Sequence, residues 1–205
     1  MQSYVVRKLA DGNCWMAENL QLNLTTSHSY KVGTFAGGEA DWTPNSNTSS
    51  TNPYNYAITQ NYAENIALAD YRGISHNNWY YTWYAATAGQ GTSDSNPSIT
   101  QSICPKGWRL PLGTTANKSF YYLITTKYGL STGNAINNDP LNFYPAGAYS
   151  SGSQYLTSRG FYWSASPNTS YSNYAYNLSF DSSSVTPQAN YLDKYRGFSV
   201  RCVSL

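Results

Sequence analysis

Apolar and polar residues alternate most cleanly near the end of the chain. Tyr174, Tyr176, Leu178 and Phe180 fall on one face of a strand, and Ala175, Asn177, Ser179 and Asp181 on the other. Leu178 and Phe180 are expected to fix the first face to a core, which turns Asn177, Ser179 and Asp181 to water. The chain closes on a second alternation, Phe198, Val200 and Cys202 against Ser199 and Arg201. A helix is predicted where Phe120, Leu123, Ile124 and Tyr128 recur at i, i+3, i+4 and i+8, with Gly129 in the place of a capping glycine.

Elsewhere the pattern breaks into short pieces. Residues 4–9 read as a strand and Asp11-Gly12-Asn13 as its turn; residues 14–20 fit a second short strand or a helical turn. The aromatic run within residues 77–86 (Trp79, Tyr80, Tyr81, Trp83, Tyr84) reads as a strand, as do residues 141–144 and 161–164. Tyr62, Ile66 and Ala67 suggest a short helix over 61–70. Residues 25–60 read as a long surface excursion, and 89–101 and 134–139 as loops. At 205 residues the chain suits one well-buried core. The expectation is a single loop-rich α+β domain over residues 1–205.

Composition narrows what such a domain does. Charged residues make up only 11%, while the chain holds 21 Tyr, 6 Trp and 6 Phe. Aromatics set among Ser, Asn and Gly are the palette of antibody loops, where Tyr gives contact area at low entropic cost. Net charge is +2 and the basic residues are scattered, so a nucleic-acid partner is not expected. No run of about 18 apolar residues occurs, so no membrane span is expected. The start of the chain carries no signal-peptide pattern, and we read it as a piece of a longer surface protein. Cys14, Cys104 and Cys202 form no CxxC pair, and there are only two histidines, so no metal site or cofactor is expected. One disulfide with one spare thiol suits an oxidising, extracellular or cell-surface location; three buried thiols is the alternative.

Three blocks resemble one family. Residues 11–20, Asp-Gly-Asn-Cys-Trp-Met-Ala-Glu-Asn-Leu, look like the opening signature of the Fibrobacter succinogenes major paralogous domain. Residues 102–111, Ser-Ile-Cys-Pro-Lys-Gly-Trp-Arg-Leu-Pro, look like its centre; residues 160–164 with 197–203 look like its ending. The resemblance implies a C-type-lectin-like fold, distantly related to formylglycine-generating enzymes, with the N- and C-terminal strands paired. It also implies a disulfide between Cys104 and Cys202, with Cys14 to Cys104 as the competing pair. The ending is similar to the variable region of proteins diversified by retroelements, in which mutated template adenines scatter Asn codons. Asn173, Tyr174, Asn177, Ser179, Asp181, Ser184, Thr186, Ala189, Asn190, Tyr191, Leu192, Asp193 and Tyr195 fit that menu; Lys194 does not.

These readings converge on a ligand-binding surface over residues 163–196. Its expected members are Tyr171, Asn173, Tyr174, Asn177, Ser179, Asp181, Asn190, Tyr191, Asp193, Lys194, Tyr195 and Arg196. Tyr and Arg dominate binding hot spots when they enter a partner's pocket. Trp108 and Trp163 are expected in the core, whereas some of the aromatics at 80–84 could line the site. The partner would be a protein or a glycan on another cell, virus or host surface; the oligomeric state is open. An invariant adhesion or carbohydrate-binding module is the alternative.

Enzyme readings have less behind them. Only three Glu and seven Asp occur, none of them read as a catalytic carboxylate pair, and no nucleophile-elbow pattern occurs. An oxidising enzyme of the formylglycine-generating kind would need Cys104 and Cys202 as accessible thiols. Thr186-Pro187-Gln188 lacks the carboxylate of a calcium-dependent sugar loop, so no calcium site is expected there.

Overall fold

The computed structural model describes residues 3–24, 28–44, 68–69, 75–76, 79–90, 98–150, 153–155 and 158–205. Its strands are β1 (Val6–Lys8), β2 (Cys14–Met16), β3 (Tyr30–Thr34), β4 (Glu39–Trp42), β5 (Leu68–Ala69), β6 (Ser75–His76), β7 (Gln101–Ser102) and β8 (Trp108–Arg109). They continue with β9 (Ala148–Ser150), β10 (Ser153–Tyr155), β11 (Gly160–Pro167), β12 (Tyr174–Phe180), β13 (Val185–Asp193) and β14 (Val203–Ser204). Helices are short: α1 (Trp83–Ala86), a π-helical turn over Tyr122–Lys127, and α2 (Gly133–Ile136). The described chain is thus a mixed α+β structure of mostly antiparallel strands.

The last strand is laid into the first sheet, whose order is β1-β2-β14-β8. Val203 pairs with Trp15 on one side and Arg109 on the other. The expected pairing of first and last strands is therefore indirect, because β2 lies between β1 and β14. Phe198, Ser199, Val200, Arg201, Cys202 and Val203 are all fully buried. The main chain of this segment is bonded from several directions, with Met16 N donating to Cys202 O and Leu20 N donating to Val200 O. Cys202 is bridged to Cys104, closing a sequence separation of 98, and Cys14 is a half-buried free thiol.

Two cores flank the sheet β11-β12-β13. The first gathers Trp83, Phe161, Trp163, Ala165, Ala175 and Phe198. The second gathers Trp15, Phe120, Leu123, Phe143, Tyr162, Leu178 and Phe180. Successive β11 residues alternate between them, Phe161 and Trp163 to the first and Tyr162 to the second, so this sheet is sandwiched.

Several local expectations change on folding. The aromatic run is not a strand: Tyr81 makes a single bridge to Phe198, and Trp83–Ala86 is helical, with Thr82 Oγ1 accepting from Ala85 N at 3.2 Å. A strand offers one core two of every four side chains, whereas this buried turn encloses Trp83, Tyr84, Ala85 and Ala86 together. Trp163 is in the core as expected; Trp108 is only partly buried against it. The polar excursion contains the hairpin β3–β4, and Val32 is fully buried. Residues 25–27, 45–67 and 91–97 lie outside the described residues, and with them most of the helix expected over 61–70, of which only 68–69 is described, as part of β5. The helix at 120–128 forms with Phe120, Leu123 and Ile124 buried and Gly129 at φ +64°, but Tyr128 N reaches back five residues to Leu123 O. Residues 141–144 form no strand: Leu141 lies in a turn and Asn142 takes a positive φ of 52°, while Leu141 and Phe143 pack in the second core.

Candidate functional site

The side-chain parity of β12 is the one its sequence predicts, but its burial is not. Phe180 pairs with Gly160, Leu178 with Tyr162 and Asn177 with Trp163, so cross-strand partners share faces. The first core covers the Ala175 and Asn177 face, and Asn177 is 0% exposed. The second core covers only the Leu178 and Phe180 end of the opposite face. Tyr174 and Tyr176 lie on that same face beyond the edge of the second core, and both are half-exposed. Asn177 is therefore removed from the expected recognition surface, and Tyr176, assigned by its alternation to the core side, joins it.

Tyr191 is the hub of what remains exposed. It sits opposite Tyr176 on β13, with ring centroids 6.2 Å apart and planes at 88°. It also meets Tyr174 edge-on at 5.6 Å and Tyr171 in a stacked arrangement at 5.9 Å. Tyr171 closes the set by an edge contact with Tyr174 at 5.9 Å. Tyr171 is 53% exposed and Tyr191 39%. Offset and edge-on contacts are the arrangements aromatic rings prefer, so the cluster is partly ordered before any partner arrives. Gly113 underlies it: a Cβ there would stand 2.7 Å from the Tyr176 Cβ and 2.5 Å from Ser164 Oγ.

The segment after β13 contributes unevenly. Asp193 and Arg196 are half-buried and joined by an ion pair of 3.0 Å between Arg196 Nε and Asp193 Oδ2. Tyr195 and Asn173 are half-buried, and Asn173 O accepts from Lys194 N at 2.9 Å. Lys194 itself is 0% exposed, with its ammonium 4.7 Å above the Trp83 ring. Its backbone carbonyl accepts from Trp83 N. It anchors the segment from beneath and does not face a partner, which corrects its place in the expected site. Asn190 is opposite Asn177 in the ladder; its side chain lies outside the described residues.

Ser179 and Asp181 lie apart from the tyrosines. Asp181 lies five positions along the chain from Tyr176, roughly 16 Å at the usual strand rise. The Asp181 carboxylate is held to about 2, below its ordinary 3.8, first by the Ser183 hydroxyl and N–H, then by those of Ser184. It closes the β12–β13 turn and lies 3.6 Å from Arg159.

Among the described residues no three His, Cys, Asp or Glu side chains come together in a way that could hold a metal ion. No described helix is long and apolar enough to cross a membrane. The chain matches no protein-family model, no curated protein and no solved structure.

Proposed function

We propose that this chain is a non-catalytic ligand-binding module of C-type-lectin-like architecture, presented on a cell or viral surface. It recognises a protein or glycan partner through Tyr171, Tyr174, Tyr176 and Tyr191, with Asn173, Asp193, Tyr195 and Arg196 beside them. The observation that carries this reading is the four-ring cluster around Tyr191, three of its rings on β12 and β13, beside strand residues such as Phe161, Trp163, Leu178 and Phe180 that are built into two cores. Clustered exposed aromatics on rigid backbone are what a recognition surface needs and what solubility alone disfavours. The disulfide Cys104–Cys202 and the last strand paired beside the second are compatible with the proposed architecture. They also argue against an oxidising enzyme that needs both thiols free.

Retroelement diversification of residues 163–196 is part of the proposal. Substitution at solvent-facing positions usually costs within about half a kcal/mol, so the tyrosine face can change while the scaffold stands. Comparing the coding sequence across isolates tests this. Variation should concentrate at residues 171, 173, 174, 191, 193 and 195, beside an Asn-codon-rich template repeat and a reverse transcriptase gene. An invariant tail in a locus with neither removes the diversification. The invariant glycan-binding reading then takes over, favoured by the exposed rings of Tyr171 and Tyr191. A glycan array tests that reading, because its signal should vanish in Tyr191→Ala.

A further inference from the structure

Tyr171 projects from a connection that has its own fastening. Asn168 follows β11 and is only 3% exposed. Its Oδ1 accepts the N–H of Ser170 at 2.8 Å and that of Tyr171 at 2.9 Å. Its own N–H donates to Tyr174 O at 3.0 Å, and Tyr174 N–H donates to Tyr171 O at 3.1 Å. One short side chain thus gathers two neighbouring amides, while its backbone ties the loop to the start of β12. Tyr171 leaves this turn 53% exposed and yet stacked on Tyr191. Thr169 and Ser170 on the same loop are exposed and pack into neither core, so apolar burial does not hold it.

We propose that Asn168 is the positioning residue of the tyrosine face: its buried amide oxygen fixes the Ser170–Tyr171 backbone and so sets the Tyr171 ring against Tyr191. The inference rests on the reading of this face as a recognition surface. Of the four rings, Tyr171 alone comes from the loop rather than a strand, so it has the most conformational freedom to lose. Ordering a loop and the ring it carries on binding costs conformational entropy, and Asn168 removes part of that cost beforehand.

The test uses the whole chain and needs no ligand. Ring-to-ring nuclear Overhauser contacts are measured for the parent, Asn168→Ala and Asn168→Asp. Asn168→Ala should lose the Tyr171–Tyr191 contacts while keeping those of Tyr174 and Tyr176 with Tyr191. Asn168→Asp, which keeps an acceptor at the same atom, should restore them. Retention of the stack in Asn168→Ala, or an Asp variant that behaves like Ala, overturns the assignment. Should Asn168→Ala fail to fold, hydrogen exchange in the parent decides. The Ser170 and Tyr171 amides should exchange at least about tenfold more slowly than the exposed Thr169 amide, and equal rates overturn the proposal. Failure of the recognition reading shows elsewhere, in Tyr171→Ala and Tyr191→Ala variants that bind as the parent does while the ring contacts in Asn168→Ala respond as stated.

Discussion

Arg201 donates to the side-chain oxygen of Asn19 across 182 residues of chain, through Nε at 3.1 Å and Nη2 at 2.7 Å. The same guanidinium donates to the carbonyls of Met16, Leu141 and Asn142. Its Cζ lies 4.6 Å from the Phe143 ring centre and 5.6 Å from that of Tyr162. Burial pulls its pKa below the ordinary value, with Tyr162 and Tyr144 opposing the shift. A planar fork with five donors suits this task, since each acceptor lies in a different direction. The first and last sequence blocks meet here.

Removing that fork should be costly. Arg201→Ala leaves Asn19 Oδ1 and three carbonyls without their donor, each worth about 1–3 kcal/mol when buried. The expected loss is at least about 3 kcal/mol in urea denaturation, and Arg201→Lys should recover only part of it. Arg201→Ala and Asn19→Ala should be non-additive by about 1 kcal/mol or more.

The disulfide closes a long loop, and Cys202→Ser should lower stability by about 2–5 kcal/mol. Cys14→Ser should leave the melting midpoint nearly unchanged. Equal midpoints for Cys202→Ser and parent would show that the bridge contributes nothing.

Neighbouring positions on β12 and β13 should respond in opposite ways. Tyr191→Asn exposes little that was hidden and should shift stability by no more than about 1 kcal/mol, while weakening partner binding by about tenfold or more. Asn177→Tyr forces a ring into a filled interior and should cost about 1–3 kcal/mol or more. Denaturation midpoints of the two variants separate surface from core directly.

Asp181 makes a pH-dependent contribution. Its carboxyl is held at about 2 in the folded chain against an ordinary 3.8. A depressed folded value means stability that is present above the ordinary value and lost as pH falls through about 2. The melting midpoint of Asp181→Asn should therefore lie below the parent's at pH 6, and the gap should narrow between pH 3.8 and 2. A constant gap across that interval would assign the difference to something other than this carboxylate.

Gly113→Ala should disturb the tyrosine face without touching a tyrosine. A Cβ at 2.7 Å from the Tyr176 Cβ and 2.5 Å from Ser164 Oγ requires one of them to move. The expected result is altered Tyr176–Tyr191 ring contacts by NMR, with the Tyr171–Tyr191 stack retained.

The sequence by itself determined the elements whose cause is local. The spacing of Phe120, Leu123, Ile124 and Tyr128 produces a helical turn wherever it packs, and Gly129 ends it because glycine accepts positive φ. The parity of residues 174–181 is likewise a backbone property, and it survives in the structure. Only the tertiary structure decided what stands opposite each face. The first core reaches over Asn177, and the second ends before Tyr176, so a polar residue is buried and an aromatic one half-exposed on the same strand. Lys194 follows the same rule, since a cation reads as solvent-facing until Trp83, 111 positions earlier, is placed beneath it. Alternation follows from covalent geometry within a few residues, whereas burial depends on chain brought in from far away.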